Sequence, residues 1–231
     1  MQPDLQVLRG TSDIAQVQHR VLRNTYLLLA LSLIPTVLGA FVGVYFINFA
    51  FMAQSPILSM VLFMAVFYGL MFMIEKNKDS SLGVGLLLLF TLLMGVMLGP
   101  ILQFATGQGA HKIVALAAGG TAAIFFGLAA IGSVAKRDFS FLANFLMVGF
   151  FVLLIGIVAN MFLQMPGIAL AISAAFILFS SAAILFTINQ IVRGGETNYV
   201  SATLTLYVGI YNIFVNLLQL LLAFGGGSQR D

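Results

Sequence analysis

From Phe139 to Val192 the chain runs 54 residues without a lysine, arginine, aspartate or glutamate. Asn24 to Ile74 and Thr197 to Gln229 are free of charge in the same way. A charged side chain at the centre of a bilayer costs roughly 2.5–3.5 kcal/mol on insertion scales, so charge-free apolar runs of this length are what lipid selects. Charged residues are 7% of the chain and hydrophobic residues 61%, against about 25% charged in an ordinary soluble domain. In lipid the backbone must satisfy its own hydrogen bonds, and long apolar runs without strand alternation do so as helices. The fold class is therefore all-α and polytopic. The 231 residues leave room for about seven spans of roughly 20–25 residues with short loops, and none for a separate soluble domain.

Charges, prolines, glycines and asparagines set the breaks. The expected spans are 23–46, 55–75, 82–104, 110–134, 139–163, 166–192 and 201–224. The least obvious cut falls inside the long charge-free run, at Gln164-Met165-Pro166-Gly167. Proline disfavours helix at the residue before it and glycine follows, so the run divides into two spans of ordinary length. Gly99-Pro100 is expected to kink or end the third span. Gly194-Gly195 lacks the spacing and lysine of a phosphate loop and reads as the C-cap of the sixth.

Lysine and arginine counts give an orientation. Arg9, Arg20, Arg23, Lys76, Lys78, Lys136, Arg137 and Arg193 fall on one side of a seven-span arrangement, and only Lys112 and Arg230 on the other. The excess of positive charge marks the cytoplasmic side, which puts the N-terminus in the cytoplasm and the C-terminus outside. The domain reading is a cytoplasmic tail over 1–22, the membrane domain over 23–224 and a loose tail over 225–231. Within the first tail, Thr11-Ser12-Asp13 is expected to cap a short helix with Ile14, Val17 and Val21 on one face. No cleavable signal is apparent, and the first apolar run reads as an uncleaved anchor. The net charge of +3 is spread over several loops as orientation signals are, with no basic patch for nucleic acid.

With the spans free of charge, amides, hydroxyls and glycines are the remaining chemistry. Thr205, Gly209, Asn212, Asn216 and Gln219 follow steps of 4, 3, 4 and 3 and share one face of the seventh span. Lipid cannot satisfy an amide, so this face is expected to point into the bundle. The sixth span offers Ser173, Ser180 and Thr187, and the fifth Gly149, Gly156 and Asn160. Two readings compete: packing contacts between helices, which lead, and a polar pathway or ion site. Gly95 and Gly99 in the third span, and Gly119, Ala123 and Gly127 in the fourth, are small-residue patterns for close helix contact, within one chain before a dimer face.

The chain has no cysteine, which excludes disulfides, thiol catalysis and cysteine metal sites. His19 and His111 are its two histidines and sit in no metal-binding spacing. An intramembrane protease would need a serine with a histidine or lysine inside the spans, or paired aspartates. None is there, so no enzyme, metal or cofactor is expected.

Several stretches together resemble the transmembrane Bax inhibitor motif family, and within it the bacterial YccA branch. They are Val21-Leu22-Arg23-Asn24-Thr25-Tyr26, Gly99-Pro100-Ile101-Leu102, Gly119-Gly120-Thr121-Ala122 and Lys136-Arg137-Asp138-Phe139-Ser140-Phe141-Leu142. The most distinctive are Gly194-Gly195-Glu196-Thr197-Asn198-Tyr199 and Leu206-Tyr207-Val208-Gly209-Ile210-Tyr211-Asn212-Ile213-Phe214. The resemblance implies a seven-transmembrane-helix bundle with one central helix surrounded by six. Spans six and seven are the candidates for the centre. It further implies an inner-membrane partner of the ATP-dependent membrane protease FtsH that restrains degradation of membrane proteins. Other family members behave as pH-sensitive calcium leaks, gated by an aspartate on the sixth span and another on the seventh. At the aligned positions this chain has Thr187 and Gly209, which cannot titrate, so the resemblance does not carry a proton switch over. Arg193 and Glu196, in the loop between spans six and seven, are the candidate cytoplasmic contacts. The expectation is a non-catalytic membrane protein that modulates FtsH. The alternative is a cation leak through the polar stripes of spans five to seven.

Overall fold

The computed structural model describes residues 4–50, 54–134 and 138–225, with side chains from Gln16 onward and Pro56 excepted. The described chain is helical: α1 (Asp4–Phe46), α2 (Pro56–Lys76), α3 (Ser81–Met97), α4 (Gly99–Gly107), α5 (His111–Val134), α6 (Phe141–Leu163), α7 (Pro166–Arg193) and α8 (Tyr199–Gly225). Seven helical segments are long and apolar enough to cross a bilayer, α3 and α4 together making the third. The break between those two falls at Leu98, immediately before Gly99-Pro100, as the missing amide of proline requires. The cut in the long charge-free run falls at Gln164, in the left-handed conformation (φ 50°), and Met165 is extended before Pro166 opens α7.

One expectation is corrected at the start. No separate capped helix precedes the first span. A single helix of 43 residues runs from Asp4 through Pro35 to Phe46, so Thr11, Ser12 and Asp13 lie within it and not at the start of a helix. At 1.5 Å per residue it is roughly 65 Å long, about twice the hydrocarbon thickness. Lys136, Arg137, Arg230 and the tail beyond Gly225 lie outside the described residues, as does the side chain of Arg9.

The central helix is α8, which packs against α1, α2, α3, α5 and α7. The remaining span, α6, packs on α7 and buries only Leu153. It turns Phe145, Phe151 and Phe162 outward. In water such a surface would drive association; in a membrane it is the face that meets acyl chains. The core forms where α8 crosses α1, α3 and α7, around Leu28, Phe90, Ile184, Leu204 and Tyr207.

The closest seam is between α1 and α3. A methyl group added at Gly39 would overlap the Leu92 carbonyl oxygen, and one at Gly95 would overlap that of Thr36. Backbones can approach this closely only where both helices carry glycine. The far end of α1 is closed by a side chain. The two hydrogens of Gln103 Nε2 are shared among the carbonyls of Gly43 (3.0 Å) and Val44 (3.0 Å), in the last turn of α1, and Ile47 (2.9 Å) just past it, where the helix end leaves carbonyls without intrahelical partners.

Candidate functional site

The predicted polar stripe of α8 is divided by the packing. Gly209 is buried, and a methyl there would lie 2.8 Å from Ile184 Cγ1 and 3.5 Å from the Ser180 carbonyl oxygen of α7. Asn212 and Asn216 are half-buried, with Asn216 Nδ2 donating to the Asn212 carbonyl at 2.8 Å. Thr205 and Gln219, expected inside, are exposed. Thr205 turns its hydroxyl back to the Ser201 carbonyl at 3.1 Å, which satisfies it without a partner helix. Gln219 still reaches the bundle, accepting from Ser173 Oγ at 2.9 Å. On α7, Ser180 and Thr187 are buried. Thr187 Oγ1 donates to the Ala183 carbonyl at 2.9 Å, and Ser180 Oγ has no partner among the described residues. The structure thus joins α7 and α8 through Gly209 and through the Ser173–Gln219 bond, and forms no unbroken polar interior stripe.

The span-four pattern is also corrected. Gly119, Ala123 and Gly127 are exposed, and a methyl at either glycine would meet open space. Gly120 and Gly132, on the other side of α5, make the close contacts, with Leu217 of α8 and Ile188 of α7.

The polar connections concentrate at the end of the bundle that carries Arg20, Arg23, Lys78 and Arg193. Gly194, at φ 79°, ends α7 in the left-handed conformation. The Gly194 amide bonds the Ile191 carbonyl (3.1 Å), and the Gly195 amide bonds that of Gln190 (2.8 Å). This is the paired arrangement of a Schellman cap, for which glycine has no Cβ penalty. Three residues on, Asn198 starts the central helix. Its Oδ1 accepts the amides of Val200 (2.9 Å) and Ser201 (3.2 Å), satisfying two donors of the first turn. Its Nδ2 donates to Asp79 Oδ1 (2.7 Å) and to the Lys78 carbonyl (3.3 Å), tying α8 to the loop between α2 and α3. Ser201 Oγ adds a bond of 2.9 Å to Glu75 Oε2, which Lys78 Nζ also approaches at 3.3 Å.

Arg193 and Glu196 line one hollow of about 450 Å³, with Val17, Gln18 and Val21 of α1 across it. Arg193 Nη1 lies 3.8 Å from Asp138 Oδ2, and Glu196 Oε1 accepts the Asn198 amide at 2.8 Å. Two bonds from Ser140, and then the Arg193 charge, hold the exposed Asp138 carboxyl below its ordinary range. The Arg193–Asp138 pair is long and solvent-facing, so water and salt screen it and it adds little to stability. Among the described residues no three histidine, aspartate or glutamate side chains cluster as metal ligands.

Sequence reasoning missed Tyr207. It is 1% exposed, and its hydroxyl lies 2.8 Å from Thr36 Oγ1 of α1 and 3.3 Å from the Thr91 carbonyl of α3. A tyrosine in an apolar run reads as another aromatic. The signal available was that a buried phenol needs a partner.

Comparison with known proteins follows the same outline. The profile of the family described as "Inhibitor of apoptosis-promoting Bax1" matches residues 18–226. The chain is 46% identical over 213 residues, 92% of each chain, to the protein named "Modulator of FtsH protease YccA" of Escherichia coli K12. A relative of the same identity and coverage from E. coli O6:H1 is named "Inner membrane protein YccA". An uncharacterized protein of Neisseria meningitidis serogroup B is 42% identical over 212 residues, 90% of this chain and 93% of its own.

Proposed function

The chain belongs to the Bax inhibitor-1-like family, and from that premise we propose that it binds the membrane protease FtsH and restrains its degradation of membrane proteins, without catalysis of its own. One observation carries the reading: identity of 46% across 92% of both chains with a relative named as a modulator of that protease. The proposed location is the bacterial inner membrane, in keeping with the name of the second relative. The end with Arg20, Arg23, Lys78 and Arg193 is taken to face the cytoplasm and Lys112 the opposite side, by the positive-inside rule.

Two features support such a role. An ATP-driven protease needs a cytoplasmic end to engage, and α1 begins at Asp4, well before the first apolar run, giving it that handle. A restraining partner must also resist extraction. The glycine seam of α1 and α3, the Gln103 cap and the Asn198 tether bind segments far apart in the chain, so pulling on one end loads the whole bundle.

The test is turnover of a membrane substrate by purified FtsH in liposomes, with and without this protein. Slower turnover with co-purification of the two is expected, and removal of residues 2–18 is expected to abolish capture. Unchanged turnover with no complex would overturn the reading. Capture that survives the deletion would remove the N-terminal handle from it.

A further inference from the structure

A cavity of about 890 Å³ lies between α1 and α5. These helices do not pack along one another; Tyr26 reaches across to the edge of Phe125, ring centroids 6.3 Å apart. The floor is α8, with Tyr207, Ile210 and Tyr211. Alanines keep the walls apart, Ala30 on α1 and Ala122 and Ala130 on α5 among them. The rim is open sideways: Val37 is 67% exposed and Phe126 69%. From Val114 to Ser133, both lining residues, α5 rises roughly 28 Å, which is about the full hydrocarbon thickness. The crevice therefore opens into the acyl chains of the bilayer.

Volume decides what fits. A helix with side chains is about 10–12 Å across, so over this length it occupies on the order of 2,200–3,200 Å³, more than the crevice holds even with its open side counted, about 1950 Å³. An acyl chain is much thinner. Charge then decides which lipid. The α1 residues that line the crevice, Tyr26, Ala30, Leu33, Val37 and Ala40, climb in steps of 4, 3, 4 and 3. Continuing that stripe past Tyr26 leads to Arg23 and then His19, both exposed. Arg23 makes no ion pair with a described residue. A guanidinium at the polar end of an apolar groove presents a planar donor set matched to phosphate oxygens.

We infer that this crevice holds an acyl chain of an anionic glycerophospholipid, taken from the leaflet on the Arg23 side, with the phosphate against Arg23. The assignment is independent of the protease reading. It concerns the lateral face of α1 and α5, not the knitted loops.

The experiment uses the full chain in phosphatidylcholine liposomes. These are doped with phosphatidylglycerol or phosphatidylcholine carrying a photoactivatable diazirine in one acyl chain, and the adducts are mapped by mass spectrometry. The phosphatidylglycerol probe is expected to label Val37, Ala122 and Phe126 several-fold over Phe151 and Phe162, which face lipid on α6. Arg23→Gln is expected to reduce that enrichment to the level of the phosphatidylcholine probe. Even labelling of α5 and α6 would overturn the site. So would a crevice spared while α6 is labelled, which would mean that a second copy or another helix covers it. Equal enrichment by both probes, unchanged in Arg23→Gln, would overturn the phosphate assignment. Wild-type labelling does not depend on any variant folding.

Discussion

Asn198 serves two parts of the architecture with a single amide. One atom caps the central helix and the other ties it to the loop between α2 and α3. Asn198→Ala removes both and is expected to lower stability by about 1–2 kcal/mol from the cap alone. Asn198→Asp keeps the capping oxygen but sets a carboxylate against Asp79, so its loss is expected to grow at low ionic strength. Thermal unfolding in detergent at two salt concentrations checks both; wild-type stability in both variants would remove the residue from this account. The motif containing Asn198 was visible in the sequence, but its use was not. Its partner Asp79 lies 119 residues away, and no local pattern encodes a partner at that distance. The left-handed cap at Gly194 was legible, because its geometry is set by the few residues around it.

At the scale of helices, identical patterns met different fates. Gly95 and Gly99 lie against α1, whereas Gly119 and Gly127 meet nothing. The spacing says that small residues share a face; it does not say that a neighbour occupies that face. Gly39→Ala should therefore force α1 and α3 apart and destabilise by about 1–3 kcal/mol or more. Gly119→Ala should be neutral or stabilising by up to about 1 kcal/mol, since it only improves helix propensity in open space. Denaturant unfolding in mixed micelles compares the two directly, and equal effects would refute the seam. The stripe of α8 teaches the same point: its period correctly gathered Thr205, Gly209, Asn212, Asn216 and Gln219 onto one side. The neighbouring helices cover the middle of that side and leave Thr205 and Gln219 exposed.

For the whole molecule, the absence of cysteine permits a clean test of topology. Lys78→Cys and Gln108→Cys, at opposite ends of the bundle, are expected to react with a membrane-impermeant thiol reagent from opposite sides in intact cells, Lys78→Cys only after the cytoplasm is opened. Labelling of both from one side would refute the seven-span arrangement, and the reverse assignment would invert the orientation. The number of spans and most of their ends were determined by sequence alone. A bilayer acts on each segment separately: depth sets the cost of every charge, and each helix satisfies its own backbone. Tertiary structure alone decided that α8 is central, that α6 stands on the outside, that α1 seals against α3 and that a crevice opens between α1 and α5. Lipid tails are as apolar as a protein core, so a leucine that faces lipid and one that faces a helix look the same in sequence. Only shape and the pairing of distant polar groups separate them.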